Sequence, residues 1–124
     1  MTGSWHLKDE TTTLNGEQAL ALVRRRIDDG QLETWLTHDD GRALTLVTNR
    51  ARAMVMLLDG PDDPGRHAVD PDAPGEQDGY VLGNGQSDTY PDRDTVPLDQ
   101  ALDAVAHIVE HGEPSASVAW RSDR

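Results

Sequence analysis

Apolar residues recur at two spacings along this chain, and the change from one to the other lays out an order of elements. SWHLKD alternates, with Trp5 and Leu7 on one side and His6 and Lys8 on the other, which is the period-two pattern of a short strand. From Asn15 the period lengthens: Leu20, Val23 and Ile27, with Ala19 alongside, recur at helical spacing. Asn15 with Gln18 three residues on reads as an N-terminal cap, with Thr12 and Thr13 as alternative caps. Arg24, Arg25 and Arg26 fall in the final turns, where cations suit unpaired carbonyls, and Gly30 follows as a stop. That position accounts for the triple arginine without phosphate contact.

Asp40-Gly41 then joins two runs rich in Leu, Thr, Val and Trp, the signature of a hairpin. Trp35 and Leu36 point to opposite faces, so burying both asks for a twist, a bulge or a layer on each face. Met54 to Leu58 is the most apolar run and predicts a central strand buried on both faces, with Met54 and Met56 filling gaps in the core. The segment 61–79 carries four prolines and three glycines and predicts a long connection, interrupted by an edge strand at His67 to Val69. Tyr80 to Leu82 predicts a strand, Gly83-Asn84-Gly85 a turn, and Asp88 to Tyr90 a short return strand.

PLDQALDAVAHIVEHG is the clearest helix, with Pro97 at its first position, Asp99 in its first turn and Gly112 as its stop. Its apolar stripe is Leu98, Leu102, Val105 and Val109, flanked by Ala101 and Ile108. SASVAW predicts a closing strand with Ala116, Val118 and Trp120 inward, leaving Arg121 to Arg124 loose. The expected fold is therefore α+β: a mainly antiparallel sheet with two helices packed against it, in a single domain over residues 1–124.

Composition narrows where function can sit. A chain of 124 residues has room for one modest core, so an edge, a face or a loop must do the work. The absence of cysteine excludes disulfides, thiolate nucleophiles and cysteine-bearing metal sites. No apolar run nears the ~20 residues that span a bilayer, and MTGSWHLKDE has neither a basic start nor an apolar stretch for export, so the expected location is the cytoplasm, away from the membrane. Net charge is −12, and residues 59–103 alone hold twelve acidic side chains against Arg66 and Arg93. A field of that sign repels nucleic acid and anionic membranes and steers basic partners, besides keeping the protein soluble.

The acidic segment fits no specific chemistry closely. Asp70, Asp72, Gly75 and Asp78 stand at positions one, three, six and nine of a calcium loop, but Pro74 and Val81 occupy positions five and twelve, where ligands are required. A glycosidase pair needs two rigid carboxyls in unequal environments, and these aspartates lie among Gly and Pro. His107 and His111 sit one helical turn apart, the spacing of two metal ligands, but a helix-end role for His111 with His107 bordering solvent is the preferred account of the pair. Neither a phosphate loop nor a nucleophile elbow occurs. The residues point to no catalytic site, metal or cofactor. They leave a binding surface: Asp62, Asp63, Asp70, Asp72, Asp78, Asp88, Asp92 and Asp94 as carboxylates, with Tyr80 and Tyr90 as rigid amphipathic contacts. An acidic adaptor or regulatory domain, and a metal-binding or hydrolytic enzyme, remain alternatives on residues alone.

The C-terminal forty residues carry a likeness. Gly83 and Gly85 in and after a strand, Val96-Pro97 with Ala101 opening a helix, Gly112 with Pro114 in a turn, and Trp120 ending the last strand resemble immunity protein family 1 of bacterial polymorphic toxin systems. The upstream strand, helix and DDG hairpin follow the same order. An acidic residue often precedes the V-P helix in that family; Asp88 or Asp92 corresponds to it, in place of a glutamate. The resemblance implies a cytoplasmic antidote without catalytic residues or cofactor. It would block a cognate toxin, such as a nucleic-acid-targeting deaminase or nuclease, by tight one-to-one binding, with no nucleic acid of its own as partner.

Overall fold

The computed structural model describes residues 3–123. Its main sheet takes the order β1 (Trp5–Leu7), β2 (Glu33–His38), β3 (Ala43–Thr48), β4 (Arg52–Leu58), β5 (Arg66–Val69) and β9 (Ala119–Ser122), with the two-residue β8 (Val96–Pro97) pairing with β4 off this path. A second sheet is the hairpin of β6 (Glu76–Val81) and β7 (Ser87–Pro91). All strand pairs among the described residues are antiparallel, and the helices α1 (Gly16–Asp28) and α2 (Leu98–His111) pack on each other and on one face of the main sheet. This is the α+β arrangement expected from the sequence.

Local chemistry explains the helix ends. Asn15 Oδ1 accepts from the Gln18 amide at 2.8 Å while Gln18 Oε1 accepts from the Asn15 amide at 2.9 Å, so Asn15, and neither threonine, is the cap. Helix α2 starts one residue later than expected: Pro97 pairs in β8 and precedes the first helical residue, Leu98. Gly112 closes α2 at φ +81°, a left-handed conformation that glycine adopts without strain. The core lies between helices and sheet, with Val23, Ile27, Leu102, Val105 and Ile108 meeting Leu36, Leu44, Leu46, Val55 and Leu57.

The other face of the sheet explains several departures from the sequence pattern. On β4 only Ala53, Val55 and Leu57 are buried; Met54, Met56 and Leu58 point the other way and are half-exposed, so β4 is not a strand buried on both faces and its methionines do not fill the core. The doubly buried strand is β3, because β6 lies over its outer side and covers Thr45 and Val47. Trp35, on the face of β2 opposite to Leu36, is half-buried. The connection 61–79 is shorter than expected: β5 sits inside the main sheet between β4 and β9, and β6 begins at Glu76. At the C-terminus, Val118 and Trp120 face the core but Ala116 is exposed, and Arg121 and Ser122 belong to β9, paired with His67 and Arg66. Of the expected loose tail, Arg124 lies outside the described residues.

Candidate functional site

The acidic segment is fixed to the sheet by a cation from β4. Arg52 opens that strand, and its half-buried guanidinium reaches out over the return from β7 to β8. Its Nη2 donates to Asp70 Oδ2 at 2.8 Å and to the carbonyls of Asp92 at 3.1 Å and Thr95 at 3.0 Å, while Nε donates to Thr95 Oγ1 at 2.8 Å. Asp92 Oδ1 stands 3.9 Å from Nε. A planar fork with several N–H donors suits this convergence of acceptors, which one ammonium would not span. Asp70 and Asp92 are thus brought together, as partners of an internal arginine.

Asp92 to Asp94 form a 3-10 turn that delivers Asp94 to His67 on β5. His67 Nε2 lies 3.1 Å from Asp94 Oδ1, and its Nδ1 lies 2.9 Å from Asp123 Oδ2, just past β9. One imidazole therefore draws two carboxylates to the same place. On the hairpin, Asp88 Oδ2 accepts from the Tyr90 hydroxyl at 3.1 Å. Burial, then the bond and charge of Asp88, push the Tyr90 phenol up to about 12.

Tyr80 does not reach the surface. It is fully buried under the hairpin, its ring 4.6 Å from that of Tyr90, and burial raises its pKa. The hairpin that it anchors is held at one end by Asn49, whose amide donates to Gln77 Oε1 at 2.9 Å and to the Asp78 carbonyl at 3.1 Å. At the other end Glu33 Oε1 accepts from the Gly83 amide at 3.1 Å. Asp62, Asp72 and Asp78 are exposed, whereas Asp63 is half-buried and accepts from the Asp59 amide at 2.8 Å.

Because the hairpin covers β3 and stops short of β5, the outer face of β4 and β5 stays open. Met54, Met56, Pro64, His67, Tyr90 and Pro91 line a groove of about 450 Å³ there, with Asp94 and Asp123 at its edge. Among the described residues no group of three or more His, Asp or Glu side chains is placed to hold a metal. Of the aspartates considered for a calcium loop, Asp70 turns to Arg52 and Asp78 lies within β6. His107 and His111 place their rings 4.5 Å apart on α2.

The sequence from 9 to 122 matches the family described as immunity protein Imm1. The chain belongs to this family. No curated protein matches it. The Imm1 match spans both helices and every strand from β2 to β9, and so includes the hairpin and Arg52. No described helix of this Imm1 protein is long and apolar enough to cross a membrane.

Sequence reasoning passes over Arg52, His67 and Asp123 as site residues and assigns the methionine pair to the core. Arg52 carried a visible signal: it is the charge that opens an otherwise apolar run, RAMVMLL. A cation at that point invites the question of which acceptors it meets. His67 and Asp123 carried none, since only the pairing of β5 with β9 brings them together.

Proposed function

We propose that this protein binds and neutralises a cognate toxin, in the cytoplasm of the bacterium that makes both, and that its acidic segment meets a basic surface on that toxin. The observation that carries the reading is the Imm1 match over residues 9–122. The charge distribution supports it: twelve acidic side chains against two arginines between residues 59 and 103 favour a basic partner. A toxin that acts on nucleic acid, a deaminase or nuclease, fits such a surface, because a cleft built for phosphates is positively charged.

Inhibition by occupancy needs no bond-making group, so the protein acts without catalysis or cofactor. Asp62, Asp72 and Asp78 supply exposed charge, and Asp63, Asp88, Asp94 and Tyr90 supply half-buried groups nearer the sheet. Asp70 and Asp92 contribute to the field while held by Arg52, and Tyr80 acts by supporting the hairpin.

Co-expression with the product of the adjacent toxin gene tests the proposal. Cells carrying both genes survive and yield a complex of one copy of each chain; death with no complex would refute it.

A further inference from the structure

The open groove on the outer face has a composition that neither the core nor an acidic surface explains. Its floor is the thioether side chains of Met54 and Met56, its walls are Pro64, Pro91 and the Tyr90 ring, and its edge is the His67 pair of carboxylates. Met54 and Met56 are outward residues of a central strand that the hairpin leaves half-exposed. A polarizable, adaptable floor of this kind suits a partner side chain better than solvent. Asp94 and Asp123 bring two charges to the edge and His67 returns at most one; Arg121, opposite His67 across β5 and β9, pairs with neither carboxylate among the described residues. Each carboxylate gives one oxygen to His67, and its second oxygen has no hydrogen bond among the described residues.

From this geometry we infer that the Met54–Met56 groove is a socket for an arginine side chain presented by the toxin. The inference rests on the toxin-binding reading and adds the element recognised. The arginine stem lies along the methionines and prolines, as long basic side chains lie on apolar surface. Its guanidinium reaches the free oxygens of Asp94 and Asp123 and faces the Tyr90 ring, a combination of planar pairing and stacking that arginine fills better than lysine. A groove of about 450 Å³ is large enough for one such side chain and the backbone that carries it.

Two measurements on the full chain test this. With methyl-labelled methionine, Met54 and Met56 report the groove. N-acetyl-arginine methylamide shifts the Met54 and Met56 resonances in a saturable way, whereas N-acetyl-norleucine methylamide, which keeps the stem and lacks the charge, does not at equal concentration. The Asp94→Asn, Asp123→Asn double variant removes the response. Equal shifts from both probes, or none from either, overturn the socket whether or not a toxin is known. The second measurement is affinity for the adjacent-gene toxin, with thermal unfolding as the control for folding. Met54→Lys places a like charge in the groove and weakens binding about 30-fold or more. Unchanged affinity of a folded Met54→Lys variant overturns the socket and leaves the toxin reading intact. Failure of the unaltered chain to bind the toxin removes that reading, and the methyl titration still decides whether the groove takes arginine.

Discussion

Arg52 Nη2 lies 2.8 Å from Asp70 Oδ2, and this ion pair joins the start of β4 to the segment that follows β5. The same guanidinium holds the carbonyls of Asp92 and Thr95. Arg52→Leu leaves those acceptors half-buried without their donor, an expected loss of about 2–4 kcal/mol in urea unfolding. Amide exchange should quicken from Tyr90 to Thr95, the residues that Arg52 pins. Arg52→Lys is expected to recover under half of the loss, since one ammonium cannot reach four acceptors. An Arg52→Leu loss within 0.5 kcal/mol, the range of an ordinary surface substitution, would show that the hub does not organise this region.

The sequence made the helices and the order of strands legible because their signals are local. Asn15 and Gln18 cap α1 within four residues, and the stripe of α2 is complete within fourteen. It failed where burial depends on a distant layer. Nothing inside RAMVMLL states whether its outer side is covered; that depends on where the hairpin of β6 and β7 settles, and it settles over β3. The anchoring of the acidic segment is not legible for a related reason. Charge counts treat Asp70 and Asp62 alike, yet one faces a half-buried arginine and the other faces water. Tyr80 reads equally from the sequence as a rigid amphipathic contact and as ordinary sheet packing, and only the sheet beneath it shows that it is buried.

Gly16 provides a test of how the helices meet. A Cβ built there would lie 2.6 Å from the Ala106 carbonyl oxygen of α2, a distance at which backbone must move. Helix propensity by itself favours alanine over glycine. The contact predicts the opposite sign: Gly16→Ala should destabilise by about 1–3 kcal/mol as α1 is pushed off α2. Chemical denaturation measures it, and a stabilised variant would mean that the two helices do not approach this closely at their crossing.

Tyr90 gives a pH dependence with a definite sign. Its phenol is pushed up to about 12 by burial and then by Asp88, so the folded chain retains a proton that the unfolded chain releases near pH 10. The associated stability is complete below pH 10 and is lost as pH rises from there through about 12. Phenolate absorbance of the native protein should therefore appear late, since both of its tyrosines are raised. Asp88→Asn removes the carboxylate charge and moves the Tyr90 transition down, though not to the ordinary value, because burial remains. An unchanged transition in that variant would show that Asp88 does not act on the phenol.

The exposed and the anchored aspartates should affect toxin binding through different rate constants. Asp72 and Asp78 stand in solvent, where a charge acts at a distance and is screened by salt. Reversing both, Asp72→Lys with Asp78→Lys, is expected to slow association about tenfold at low ionic strength with little change in dissociation. The slope of association rate against salt should flatten as well. Asp94 belongs with His67 at the groove edge, so Asp94→Asn should act mainly on dissociation and keep most of the salt dependence. Stopped-flow association and surface dissociation measurements on the same complex separate the two. If the double reversal left both the association rate and its salt slope unchanged, the acidic segment would have no steering role, and its charge would serve solubility.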